Sequence, residues 1–169
     1  MGIITRRGDK GFTFLFQKKL RKDDKRIEAI GTVDELSSFL GVAKSLLSEE
    51  KKELIENIQK DLLIIGEALA KEHLTKEKIS FIKERINWLE KEIEDRERKL
   101  KINKFVLPGE NFLSAWFNIV RAITRRLERK VVALRKKNEY ILIYLNRLSD
   151  FLFLYAQEFQ NSKDGKVGI

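Results

Sequence analysis

At 169 residues, with 43% hydrophobic and 36% charged side chains, the chain has the length and apolar content of one folded domain with a sizeable core. A single histidine and no cysteine exclude disulfides, thiolate metal sites, cysteine nucleophiles and any two-histidine metal helix. A formal net charge of +9 favours a polyanionic partner, with nucleic acid, nucleotide phosphates and an acidic membrane surface all open on charge alone.

No apolar stretch approaches the ~18–20 uninterrupted residues that a membrane span requires. The opening residues, Met1-Gly-Ile-Ile-Thr-Arg-Arg, hold no apolar run followed by a cleavage site, so the expected location is cytoplasmic. Residues 1–31 are rich in glycine and cations and lack helical periodicity, which predicts an irregular N-terminal arm. Within it, Thr5-Arg-Arg-Gly-Asp-Lys-Gly-Phe-Thr13 sets two glycines among hydroxyls and cations. Such a turn can present backbone N–H groups to phosphates, although the Walker spacing is absent and a plain basic turn accounts for the same residues. Lys18, Lys19, Arg21, Lys22, Lys25 and Arg26 add charge to the same arm.

Thr32-Val-Asp-Glu35 matches a capping box with Thr32 as N-cap. Leu36, Phe39, Leu40, Ala43, Leu46 and Leu47 follow at helical spacing, predicting a first helix over 33–48. Leu54, Ile58, Leu62, Ile65 and Leu69 predict a second helix over 50–72. Ile79, Ile82, Ile86, Leu89 and Ile93 predict a third over 76–100. His73 falls at a helix end, where it reads as capping rather than catalytic. The one proline, in Phe105-Val-Leu-Pro-Gly-Glu-Asn111, must break the helical run. A fourth helix is expected over 112–137 and a fifth over 139–161, the latter with Ile141, Leu145, Leu148, Leu152 and Phe159 as its apolar stripe. The tail 162–169 is expected to fray. The fold class is therefore all-α, a five-helix antiparallel bundle over 32–161 in a single domain.

Two faces carry unusual polar chemistry. On the fourth helix Arg121, Arg125 and Glu128 fall at i, i+4 and i+7 and share one side. Planar guanidinium forks suit phosphate or carboxylate, while a solvated face of i,i+4 ion pairs is the plainer reading. On the fifth helix Asn146, Asp150 and Phe153 form a second face, distinct from the leucine stripe. A mid-helix asparagine disfavours the helix slightly, so Asn146 points either to a specific hydrogen-bonding task or to an Asn146–Asp150 pair that holds helices in register.

Taken together, the segments TRRGDKGFT (5–13), KDDKRIEAIGTVDELSS (22–38), FVLPG (105–109), VRAITRRLERKVVAL (120–134) and YLNRLSDFLF (144–153) resemble the PduO-type ATP:cob(I)alamin adenosyltransferases. The resemblance runs in order from about residue 3 to residue 157 and implies a homotrimer of five-helix bundles, ferritin-like in outline, with active sites at subunit interfaces. It implies that reduced cob(I)alamin attacks the 5′ carbon of ATP and expels tripolyphosphate, leaving adenosylcobalamin. ATP, Mg²⁺ and a corrinoid are then the ligands, with a corrinoid reductase and an adenosylcobalamin-dependent enzyme as further partners, and with no role for nucleic acid or membrane.

By the same resemblance Thr5, Arg6, Arg7, Gly8, Thr13 and Lys22 in the arm bind ATP, so that 1–31 becomes a nucleotide-binding arm. Arg125, Arg126, Glu128 and Asn146 complete the nucleotide site, Arg125 on phosphate oxygens and Glu128 beside the metal. Asp34 and Arg121 correspond to a pair that bridges subunits beside the corrinoid. Phe105 corresponds to the aromatic that excludes the lower axial ligand, and Phe153 walls the corrinoid pocket. The chain departs from the family pattern at Arg6-Arg7, usually Lys-Thr, at Phe14, usually a hydroxyl residue, at Glu110, usually glycine, and at Asn118, often histidine. The alternative reading is a basic helical bundle that binds nucleic acid or another polyanion without catalysis.

Overall fold

The structure, a computed structural model, describes residues 4, 6–100 and 107–161; Thr5, Phe105 and the tail lie outside the described residues. A short hairpin, β1 (Phe12–Leu15) and β2 (Lys18–Arg21), precedes five helices. These are α1 (Lys25–Ser45), α2 (Glu49–Lys71), α3 (Lys76–Leu100), α4 (Phe112–Val132) and α5 (Glu139–Asn161).

The helices alternate in direction. Gly66 packs on Val33 and Gln59 donates to the Ser37 carbonyl, which sets α2 antiparallel to α1. Arg126 pairs with Glu35 and Trp116 Nε1 donates to the Phe39 carbonyl at 2.9 Å, which sets α4 antiparallel to α1. Asn111 Nδ2 donates to the Phe159 carbonyl while its Oδ1 accepts from Ser114 N, so one amide caps α4 and ties it to the end of α5. The all-α bundle is as the periodicity predicts. Ile58, Leu62, Ile65 and Leu69 of α2, Ile82, Ile86 and Leu89 of α3, and Ile141, Leu145, Leu148, Leu152 and Phe159 of α5 are buried. Phe117 stacks on Phe159 and meets Tyr155 edge-on, filling the core between α4 and α5.

Two helix boundaries and two local readings differ from expectation. α1 begins at Lys25, not near 33, capped by Asp24, whose Oδ1 accepts from Arg26 N at 2.8 Å. The apparent capping box lies inside the helix. Thr32 Oγ1 donates back to the Glu28 carbonyl, and Glu35 turns to Arg126 instead of reaching its own N-terminus. α4 stops at Val132, and Lys137 Nζ folds back to that residue's carbonyl at 2.9 Å. The arm is not wholly irregular, since β1 and β2 pair antiparallel with Phe12 opposite Arg21 and Leu15 opposite Lys18. Their two-residue connection places Phe16 at φ 53 with none of the Asn-Gly or Asp-Gly signals that mark such turns. His73 does not cap: Glu72 holds the C-cap of α2, and His73 beyond it is exposed and makes no side-chain hydrogen bond among the described residues.

One buried polar network crosses the bundle. Asp61 of α2, 1% exposed, accepts from Arg85 Nε of α3 at 2.8 and 2.9 Å and from the Tyr144 hydroxyl of α5 at 2.8 Å. Burial pushes the Asp61 carboxyl up, against the pull of Arg85 and Tyr144, and pushes the Tyr144 phenol well up. Among the described residues, no helix is long and apolar enough to cross a membrane.

Candidate functional site

The arm is built around two glycines. Gly11, at φ 76, lets the chain turn into β1, its N–H donating to the Gly8 carbonyl at 3.2 Å while its own carbonyl accepts from Lys22 N at 2.9 Å. A methyl group placed on Gly8 would stand 3.1 Å from Lys22 Nζ, so the ammonium rests directly against the Gly8 backbone. Arg6, at φ 54, and Arg7 are exposed beside this turn, and Thr13 is half-buried opposite Leu20. The structure thus brings Gly8 and Lys22 together and keeps Arg6 and Arg7 at the same turn. Thr5 is outside the described residues.

The arginine helix divides its cations between two edges. Arg126 and Lys130 face α1, where Arg126 pairs with Glu35 and Lys130 Nζ lies 3.5 Å from Glu28. The opposite edge faces α5: the Arg121 guanidinium lies 5.9 Å from the centroid of Phe153, and its Nε donates to Asn118 Oδ1 at 3.4 Å. Arg125 and Glu128, one and two turns on, stand on the same edge as Arg121. Neither makes an ion pair or side-chain hydrogen bond among the described residues, and Arg125 is exposed. That leaves an unpaired guanidinium and a half-buried carboxylate side by side, a donor set suited to a phosphate chain and its counter-ion.

Across the groove on α5, Asn146 shares an edge with Phe153. Stepping seven residues back along α5 and seven forward along α4 places Asn146 at the level of Glu128, just as Phe153 is level with Arg121. Asn146 Oδ1 accepts from Arg147 Nη1 at 2.8 Å, and Arg147 Nε donates to Glu90 of α3 at 2.8 Å. The register-pair reading does not hold, because Asn146 takes Arg147 as its partner and Asp150 is exposed. Sequence reasoning passed over Glu90 and Arg147. Arg147 follows Asn146 directly, but nothing in the helical spacing says that it reaches α3.

Two separations matter. Asp34 is exposed, and among the described residues no hydrogen bond or ion pair joins it to Arg121 within one chain. No hydrogen bond or ion pair among the described residues joins the arm to the Arg121–Arg125–Glu128 edge. The arm docks instead on the C-terminal end of α2, beside the residues that follow α4, where Lys18 Nζ donates to Glu72 at 3.0 Å and Arg26 also pairs with Glu72. A cleft of about 560 Å³ opens there, lined by Lys18, Lys25, Arg26, Glu72, Arg135 and Lys136. Phe105 is outside the described residues, and no group of three or more potential metal ligands occurs among those described.

The bundle and these surfaces define an all-α helical protein with a cationic edge along α4 and, among the described residues, no cluster of potential metal ligands. The chain belongs to the cobalamin adenosyltransferase family, whose model matches residues 3–158. It is 40% identical over 171 residues to a corrinoid adenosyltransferase of Bacillus subtilis, covering 93% of this chain and 86% of that one. It is 39% identical to a corrinoid adenosyltransferase of Citrobacter freundii, covering 96% of this chain and 97% of the relative. Among solved structures, a variant PduO-type ATP:corrinoid adenosyltransferase from Lactobacillus reuteri, complexed with cobalamin and ATP, superposes with a TM-score of 0.81 at 34% identity, covering 92% of each chain.

Proposed function

We propose that the chain transfers the 5′-deoxyadenosyl group of ATP to the cobalt of reduced cob(I)alamin, releasing tripolyphosphate and forming adenosylcobalamin. The observation that carries this reading is the unpaired Arg125 beside Glu128 on the α4 edge facing α5, in a chain of this family. The cobalt is the nucleophile and ATP carries its own leaving group, so the protein's task is to position the two and to accommodate a highly anionic departing chain. Arg125 takes phosphate oxygens; Asn146 contacts the nucleotide; the arm, through Arg6, Arg7, Gly8, Thr13 and Lys22 with Thr5, wraps the triphosphate. Arg126, already paired with Glu35, contributes mainly to the field at the site. Mg²⁺ commonly binds through one or two carboxylates together with substrate phosphates, and Glu128 is the carboxylate available for that role.

Among the described residues of one chain, no hydrogen bond or ion pair joins the arm to the Arg125 edge or Asp34 to Arg121. Both separations are met if two copies complete each site, as in a homotrimer with Asp34 and Arg121 meeting across the boundary. Arg121, Phe153 and Phe105 then wall the corrinoid. A cytoplasmic location, a reductase that supplies the reduced corrinoid and a client enzyme that takes the product belong to the same reading. The nucleic-acid alternative is disfavoured by family membership and by Glu128, a carboxylate set within the cationic edge. An assay with ATP, Mg²⁺ and chemically reduced cobalamin is expected to yield adenosylcobalamin and tripolyphosphate in equal amounts. Absence of both products in folded protein overturns the assignment, and light scattering that returns a monomer overturns the shared site.

A further inference from the structure

Glu72 ends α2 at φ 55 and ψ 25, a left-handed conformation that helix ends usually reserve for glycine or asparagine. In that conformation its side chain leaves the helix and reaches the arm. Oε2 accepts from Lys18 Nζ at 3.0 Å, and Oε1 pairs with Arg26 Nη2. The side chain is only 16% exposed although it sits at a helix end. Lys18, with Arg26 beside it, holds the Glu72 carboxyl below its usual range. The next residue back, Lys71, places its ammonium 5.5 Å from the ring of Phe16 at the hairpin tip.

The two partners of Glu72 bracket one stretch of chain. Lys18 opens β2 and Arg26 lies in the first turn of α1, so a single carboxylate holds both ends of residues 18–26. Lys22 lies midway between them, its N–H on the Gly11 carbonyl and its ammonium against Gly8. Holding 18 and 26 therefore holds Lys22 over the Gly8–Gly11 turn.

We propose that Glu72 is a positioning residue for ATP, a clasp that fixes the arm so that Lys22 and the Gly8–Gly11 turn present a ready phosphate site. This rests on the reading of the arm as part of the nucleotide site. Glu72 touches no substrate. It sets the fraction of molecules whose arm is competent to bind, and apparent affinity falls in proportion to that fraction. Its unfavourable backbone conformation is maintained by the two ion pairs that the conformation makes possible.

The test uses the full chain with Glu72→Gln, Glu72→Gly and Lys22→Ala. Glutamine removes the charge. Glycine removes the side chain yet suits the left-handed backbone, so it keeps the helix end and is expected to fold. Calorimetric titration with MgATP in the absence of corrinoid should show ATP binding about tenfold weaker in both Glu72 variants, as expected if one arm in ten remains competent. The KM for corrinoid should not change, and turnover at saturating ATP should stay within about twofold, because a missing clasp is overcome once ATP is bound. Unchanged ATP affinity in folded Glu72→Gly and Glu72→Gln, with Lys22→Ala clearly weakened, overturns the clasp and leaves the arm as the ATP site. Unchanged ATP affinity in Lys22→Ala overturns the arm reading itself. Loss of folding in both Glu72 variants, or equal losses for ATP and corrinoid, makes Glu72 a stability residue and also overturns the proposal.

Discussion

The Arg121 guanidinium stacks toward Phe153, 5.9 Å from its centroid, and this contact couples α4 to α5 at the level proposed for the corrinoid. Arg121 and Phe153 are both half-buried, and at this outer limit of its range a cation–π contact contributes about 0.5–1 kcal/mol. Phe153→Leu keeps apolar volume and removes the ring face, so corrinoid kcat/KM should fall about two- to fivefold. ATP KM should hold steady. Steady-state kinetics with each substrate varied in turn checks this, and an equal rise in ATP KM would place Phe153 elsewhere.

The two arginines at 125 and 126 should behave differently although they are neighbours in sequence. Arg125 has no partner among the described residues, whereas Arg126 is paired with Glu35 of α1. Losing one preorganised donor at a developing charge costs about 10²–10³ in turnover. Arg125→Ala should show that loss with an unchanged thermal midpoint. Arg126→Ala should lose far less activity and a little stability. If both variants lose turnover equally, Arg126 leaves Glu35 to bind phosphate and the division of the face is wrong.

That division could not be read from the chain. Spacing placed Arg121, Arg125 and Glu128 on one side of a helix, but the neighbour facing each side depends on tertiary packing. The helices α2, α3 and α5 were legible because their apolar residues repeat at three and four and their cores bury those same residues. The start of α1 was not, because Thr32-Val-Asp-Glu35 has the composition of a cap while lying in mid-helix, and the true cap, Asp24, follows a run of cations that reads as loop. The hairpin was missed for want of a glycine turn signal. Motif resemblance supplied the candidate site, and the structure adds which of those residues already have partners.

Asp61 should be the most sensitive polar position in the bundle. It is buried among α2, α3 and α5, and its removal strands Arg85, whose Nη2 already lacks a hydrogen-bond partner. Breaking a buried pair by deleting one partner costs about 3–5 kcal/mol. Arg85 reaches partial solvent, so Asp61→Ala should sit near about 3 kcal/mol. In a domain of this size that lowers Tm by roughly 6–12 °C. Tyr144→Phe, which removes one hydrogen bond and leaves the ion pair, should cost about 1 kcal/mol. Denaturant unfolding that finds Asp61→Ala as mild as Tyr144→Phe would refute a structural role for the pair.

Glu67 supplies a pH signature at the junction of α2 and α3. Its carboxylate accepts from Lys71 at 2.7 Å, one turn on, and pairs with Lys78 at the start of α3. Lys71 first, then Lys78, holds the carboxyl down at about 2 instead of the usual 4.5. A carboxyl depressed on folding stabilises the native state above its unfolded pKa, and that contribution is lost as pH falls through the folded value. The window is therefore from about 4.5 down to about 2. Glu67→Gln removes the titrating group while every other carboxylate stays, so the Tm gap between the two proteins isolates this residue. The gap should be small and constant near neutral pH, narrow below about 4.5 and close near about 2. Because the pair is solvent-exposed, about 1 M salt should also shrink it. A gap that survives full acidification would mean that the glutamine variant loses packing rather than charge, and the α2–α3 junction would then be held by its apolar contacts alone.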